Sequence, residues 1–200
     1  MSSPVLWYAT RATGLVALVL LTTTTLVGIL TANRAVSSRW PAFSVQDLHR
    51  RISVITMGFL ACHILTSVID TYVHIGWAAV VVPFASSYKR LWVGLGSIGI
   101  DLLIAVAVTS HLRHKMRPGT WRAVHWLAYL SWPVALSHAF GMGTDMGQRW
   151  VTGLSVACIA AVVGAAIWRV SLAVRRKSHA LALVPVHQRP SGVPVKHLSA

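Results

Sequence analysis

The sequence predicts an all-α fold, a polytopic bundle of membrane-spanning helices, and three observations predict it. Hydrophobic residues make up 55% of the chain and charged ones 11%, with no Glu at all, so lipid rather than water must solvate most of its surface. Apolar runs recur at about Ala12–Ala32, Ile52–Ile69, Leu91–Ser110, Ala123–Met142 and Val151–Trp168, with Asp101 the one charged residue within them. Each approaches the ~20 residues that cross a ~30 Å hydrocarbon layer. The runs also lack strand alternation, and lipid leaves only helices or closed barrels viable. Five transmembrane helices are expected, with six allowed.

The first span opens after "RATG" (Arg11–Gly14) and holds the run Thr22–Thr25, tolerated because a threonine hydroxyl bonds back to the preceding helical turn. It is expected to stay as a helix: it is longer than a signal-peptide core and lacks an A-x-A exit. A polar connector with Pro41 leads to "LHRRISVITMGFLACHILTSVID" (Leu48–Asp70), an oily span that carries His49 and His63. "TYVHIGWAAVVVPFASSYKR" (Thr71–Arg90) is too short in its apolar part to cross and is interrupted by Pro83. It reads as an outer loop with an interfacial segment anchored by Tyr72, Trp77 and Tyr88. The third span contains Gly94, Gly96 and Gly99, which favour close helix packing. "HLRHKMRPGTWR" then turns at Pro118-Gly119, and "WRAVHWLAYLSWPVALSHAF" (Trp121–Phe140) brings in His125 and His138. Residues 1–173 form the membrane domain, and residues 174–200 a basic cytoplasmic tail with three prolines, expected to be disordered.

The formal charge of +14 is distributed as a topology signal. Fourteen of the 18 Lys and Arg residues fall in the connectors after the first and third spans or beyond the last. Only Arg11, Lys89, Arg90 and Arg149 fall on the other side. This positive-inside pattern predicts a multi-pass protein of the inner or plasma membrane, N-terminus outside and C-terminus cytoplasmic. Basic loops against anionic lipid account for the charge, so no nucleic-acid partner is expected. Cys62 and Cys158 lie inside spans, which argues against a disulfide framework. No C-x-x-C-H occurs, which excludes the usual covalent haem attachment.

Helix geometry turns the histidine spacing into depth. His49 and His63 are fourteen residues apart, roughly 21 Å, and His125 and His138 thirteen, roughly 19–20 Å. Both spans run inside to outside, so His49 matches His125 in depth near the inner face and His63 matches His138 near the outer. Two tiers of two imidazoles are what two stacked six-coordinate b-type haems require, wrapped by an apolar bundle. Fourteen residues return to within about 40° of one face, whereas thirteen leave about 140° of mismatch. Pro133 lies between His125 and His138, so distorted helical geometry is expected at Tyr129–Pro133.

Any single histidine in a span can be explained as a hydrogen bond to a neighbouring helix. Four at two matched depths point to a site. Arg50, Arg51 and Arg122 lie at the inner level, and Lys89, Arg90 and Arg149 at the outer, where haem propionates need cations. Ordinary loop charge explains each of them as well. Trp132, midway between His125 and His138, reads as an aromatic in the gap between porphyrins or as packing. His111 and His114 fall in the basic turn and His74 in the outer loop, where water suffices. Asp101, near the middle of the third span, reads as a proton-relay or hydrogen-bonding carboxyl next to a ligating imidazole, or as a neutral link between helices.

The 14/13 histidine spacing on two spans, with "RATG" opening an earlier helix, resembles the ferric reductase-like transmembrane family over roughly Arg11 to Trp168. That family includes the membrane parts of NADPH oxidases and ferric reductases and the bacterial haem subunit of methionine-sulfoxide reductase systems. The resemblance implies an inner haem on His49 and His125, an outer haem on His63 and His138, and transmembrane electron transfer. Many members have six spans, and oxidases and ferric reductases carry a C-terminal flavin and nicotinamide module not seen here. The expected donor is therefore a separate flavoprotein or a quinol. The expected acceptor is a periplasmic or extracellular redox protein, ferric iron or dioxygen. Two readings from other classes stand beside this one: a metal or proton transporter built on the histidines and Asp101, and a structural assembly subunit.

Overall fold

A computed structural model describes residues 4–32, 42–70, 75–143 and 147–182, and every long element among them is a helix. In chain order they are α1 (Pro4–Ala32), α2 (Ala42–Ile69), the single turn α3 (Ala78–Val81), α4 (Arg90–His111), α5 (Pro118–His125), α6 (Leu127–Met142) and α7 (Arg149–Ala182), with a 3₁₀ turn at Arg113–Lys115. Four helical stretches are long and apolar enough to cross a membrane: Pro4–Thr31, Phe43–Ile69, Arg90–His111 and Arg149–Arg175.

The chain departs from the expected five spans at the fourth one. That segment is divided at Trp126 into α5, of 8 residues, and α6, of 16. The break lies just ahead of the expected Tyr129–Pro133, and α6 runs through Pro133. Tyr129 N–H donates to the Trp126 carbonyl at 3.0 Å, an i→i−3 bond that tightens the turn. The break and its tightened turn fall between His125 and His138, the stretch over which the angular mismatch must be taken up. Pro118 opens α5, where its missing N–H costs nothing.

At the other end, α7 continues through Ala182, so residues 174–182 of the expected disordered tail are helical. Residues 183–200 lie outside the described residues. So do Tyr72 and His74, both named above in the outer loop.

The bundle is organised as two helix pairs bridged by a shared core. α2 packs extensively on α1, and α6 on α4, while α1 also touches α6 and α7. Leu18 and Leu21 of α1, Trp132 and Leu136 of α6, and Cys158 of α7 form the buried core. Trp132 Nε1–H donates to Thr22 Oγ1 at 3.0 Å, and Thr24 and Thr56 pair their hydroxyls at 3.2 Å between α1 and α2. Buried hydroxyls must be satisfied where no water reaches, and Thr22 and Thr25 also bond back to Leu18 and Leu21. By contrast, α2 and α6 are not an extensively packed pair. The space between them is where the site lies.

The segment after residue 74 folds back onto α4 instead of lying apart. Ala79 is buried, its carbonyl accepts the Ser97 hydroxyl, and Phe84 sits against Gly94. A Cβ at Gly94 would meet the Phe84 ring at 2.3 Å, so only glycine admits this approach. Trp77 remains exposed at its edge, as an interfacial anchor requires.

Candidate functional site

The four histidines reach one another in the expected pairs. The ring centres of His49 and His125 are 6.3 Å apart, with planes at 71°. Those of His63 and His138 are 6.4 Å apart, with planes at 81°. The pairing requires α2 and α5–α6 to run in the same direction.

This spacing fits a particular occupant. A metal–imidazole bond of about 2.0–2.1 Å plus about 1.15 Å from nitrogen to ring centre, on both sides, puts the two centres about 6.3–6.5 Å apart. Edge-to-face aromatic rings in direct contact also fall within about 4.5–7 Å, so distance alone does not discriminate. The surroundings add a second observation. His63 and His138 together line a cavity of about 340 Å³, within the range of small-molecule and cofactor sites. Its walls come from α1, α2, α4 and α6 and include Gly14, Gly96 and Leu60.

Neighbouring backbone holds the rings. His63 Nδ1 lies 2.8 Å from the Thr10 carbonyl and His138 Nδ1 2.7 Å from the Trp92 carbonyl. A carbonyl only accepts, so each imidazole donates from Nδ1 and presents Nε2 unprotonated, the tautomer an iron ligand needs. Glycines make these approaches possible. A Cβ at Gly14 would stand 2.9 Å from His63 Cε1 and Nδ1, and one at Gly96 would stand 2.7 Å from the same atoms of His138.

His49 follows the same rule more loosely. Gly28 faces it, with a Cβ there reaching 3.3 Å from Cε1. The Thr24 backbone lies within electrostatic reach of the ring, yet Nδ1 makes no bond of full hydrogen-bond geometry. In all three cases the carbonyl belongs to the residue four before the glycine. His125 differs: Trp121 stacks on it at 5.1 Å, and its buried Nδ1 has no partner.

The remaining expected residues divide between near and far. Arg51 pairs with Asp47 at 2.7 Å with both side chains exposed, an interaction worth little in water. Arg50 and Arg122 are exposed, next in sequence to His49 and near His125. Trp132 is buried in the α1–α6–α7 core and does not line the outer cavity. Asp101 is half-buried and makes no hydrogen bond to a histidine; backbone carbonyls hold the outer pair in its place. Lys89 Nζ donates to the Gly141 carbonyl and Arg90 Nε to the Phe84 carbonyl, closing the outer end. The cavity is instead lined by Arg11, whose guanidinium lies 3.8 Å above the Trp7 ring, and by the buried Asp70.

Sequence reasoning missed Thr10 and Trp92, because a carbonyl acceptor carries no side-chain signal. The glycines were available to it: Gly14 and Gly28 repeat the fourteen-residue interval of His49 and His63. Among the described residues no three His, Cys, Asp or Glu side chains gather as a bare metal-ion site.

The family model described as "Domain of unknown function (DUF8596)" matches residues 5–145, which takes in all four histidines. No curated protein and no solved structure matches the chain.

Proposed function

We propose that this chain, which belongs to the family described as Domain of unknown function (DUF8596), is an integral membrane b-type cytochrome that carries single electrons across the membrane. The family description assigns no activity, so the resemblance to ferric reductase-like membrane domains is part of this proposal. One observation carries it: two pairs of imidazoles on the same two segments, each at a separation compatible with one iron atom between them, the outer pair lining a cofactor-sized cavity.

His49 and His125 would be the axial ligands of an inner haem, and His63 and His138 those of an outer one. When bound, the haems supply reversible one-electron chemistry. The chain's own work is to fix and insulate. Thr10 and Trp92 hold the outer imidazoles in the ligating tautomer. Gly14, Gly28 and Gly96 let neighbouring helices approach the ligands, and the apolar walls exclude water. A haem would bring most of the ligands of its iron with it, so one imidazole from each of two helices would suffice to hold it. A bare metal site, as in the transporter reading, calls for three or more protein ligands.

In this reading α5 and α6 together make the fourth of five crossings, with the N-terminus outside and the basic end cytoplasmic. A separate flavoprotein or quinol donates at the cytoplasmic or quinol side. A periplasmic or extracellular redox protein, ferric iron or dioxygen accepts outside. Pyridine haemochrome analysis of protein purified from haem-replete cells tests the proposal, with two haems b expected per chain. A colourless preparation would overturn it.

A further inference from the structure

Three of the four histidines follow one local rule, and the fourth breaks it at a single residue. His63, His138 and His49 each rest on a helical glycine, at Gly14, Gly96 and Gly28. Each lies beside the carbonyl four residues earlier, at Thr10, Trp92 and Thr24. The rule has a mechanical basis. A helical carbonyl keeps one lone pair after bonding its own i+4 N–H, and only a missing Cβ at that i+4 position lets a ring reach it.

For His125 the corresponding place on α4 is fixed by register. α4 runs antiparallel to α5–α6 and packs on both. Gly96 meets His138 near the start of α4. Fourteen residues along α4, roughly 21 Å, reach Ser110, while thirteen residues back from His138, roughly 20 Å, reach His125. Fourteen residues also return to within about 40° of the face Gly96 presents. By register, Ser110 is thus the α4 residue that corresponds to the glycines beside the other three ligands, four residues after Val106.

Two further observations mark this place. His125 Nδ1 and Ser110 Oγ are both buried and both without a hydrogen-bond partner. Many helical hydroxyls in the chain, though not Thr10, bond back to a carbonyl three or four residues earlier, as Thr109 does to Ala105 next door. Ser110 does not, so its oxygen remains available. A buried imidazole N–H and a buried hydroxyl left unpaired would each carry a desolvation cost that one mutual bond removes.

We propose that Ser110 Oγ accepts the His125 Nδ1–H bond and is the positioning residue of the inner ligand, substituting for the backbone carbonyls that hold the other three. This rests on the haem reading above. It makes the two tiers chemically unequal: His125 would lean on a neutral hydroxyl, the outer ligands on amide carbonyls. Withdrawing the acceptor from a ligating imidazole makes it a weaker donor to iron, which favours the reduced metal.

Redox titration of the purified holoprotein tests it, with the inner potential identified as the one that His49→Ala removes. Ser110→Ala should raise the inner midpoint potential and leave the outer unchanged, with two haems still bound. Ser110→Gly should shift the inner potential down from the Ser110→Ala value, because it exposes the Val106 carbonyl. Ser110→Thr, which keeps the hydroxyl, should stay at the wild-type potential. Loss of the inner haem in Ser110→Ala but not in Ser110→Thr would support the same assignment. An unchanged inner potential in Ser110→Ala would overturn this inference and leave the cytochrome reading standing. A wild-type protein without haem would overturn both.

Discussion

Substituting Gly96 by alanine adds one methyl group against a ring that has no room for it. That Cβ would sit 2.7 Å from His138 Cε1 and Nδ1, whereas ordinary contact begins near 3.4 Å. The ring must therefore retreat by about 0.7 Å. It is held by a 2.7 Å bond to the Trp92 carbonyl, which the methyl would crowd, and it stands 6.4 Å from His63. A retreat of that size is about a third of a metal–ligand bond of about 2.0–2.1 Å, which would cost His138 its hold on the haem proposed here. Overpacking of this kind costs about 1–3 kcal/mol in a close-packed interior, and losing the hydrogen bond adds about 1 kcal/mol. Haem per chain should fall from two to one by pyridine haemochrome, with helical content by circular dichroism unchanged. Gly164→Ala is the control, because a Cβ there meets nothing within 4 Å; it should keep both haems. A Gly96→Ala protein that retains two haems and an unaltered reduced spectrum would refute the argument.

Replacing His63 or His138 by alanine should remove the outer haem and spare the inner, read as a halved haemochrome yield with one remaining redox midpoint. Trp132→Phe removes the indole bond to Thr22 while Thr22 keeps its bond to Leu18; thermal stability should fall by about 1 kcal/mol, with haem content unchanged. Gly141→Ala would place a Cβ 1.8 Å from the Trp92 ring, so it should displace the residue whose carbonyl orients His138, and haem retention measures the loss. A fluorescent-protein fusion at the C-terminus should light up in the cytoplasm, and an N-terminal tag should be accessible from outside; the reverse result would overturn the charge-based topology.

Side-chain chemistry in this fold was legible in the sequence, and the backbone choices were not. Histidines at matched depths on two spans announced their pairing, because a helix converts residue number directly into height. Pro133 drew attention as the place where the thirteen-residue mismatch would be resolved. The chain breaks the segment earlier, at Trp126, with an i→i−3 bond, a choice of hydrogen-bond partner that no residue type encodes. Thr10 and Trp92 escaped notice for the same reason, since they act through carbonyls. Trp132 sits at the expected height, but its indole finds Thr22 and turns it into the core, away from the outer cavity. Gly14 and Gly28 were legible in principle, as their spacing echoes that of His49 and His63, whereas Gly96 has no such echo. Their meaning needed the neighbouring helix in place.

Low-temperature electron paramagnetic resonance of the oxidised protein reads the ligand geometry itself. Imidazole planes at 71° and 81° should give two strongly anisotropic low-spin ferric signals, one from each tier. A protein with no such signals, or with the high-spin signal of five-coordinate iron, would contradict the pairing of His49 with His125 and of His63 with His138.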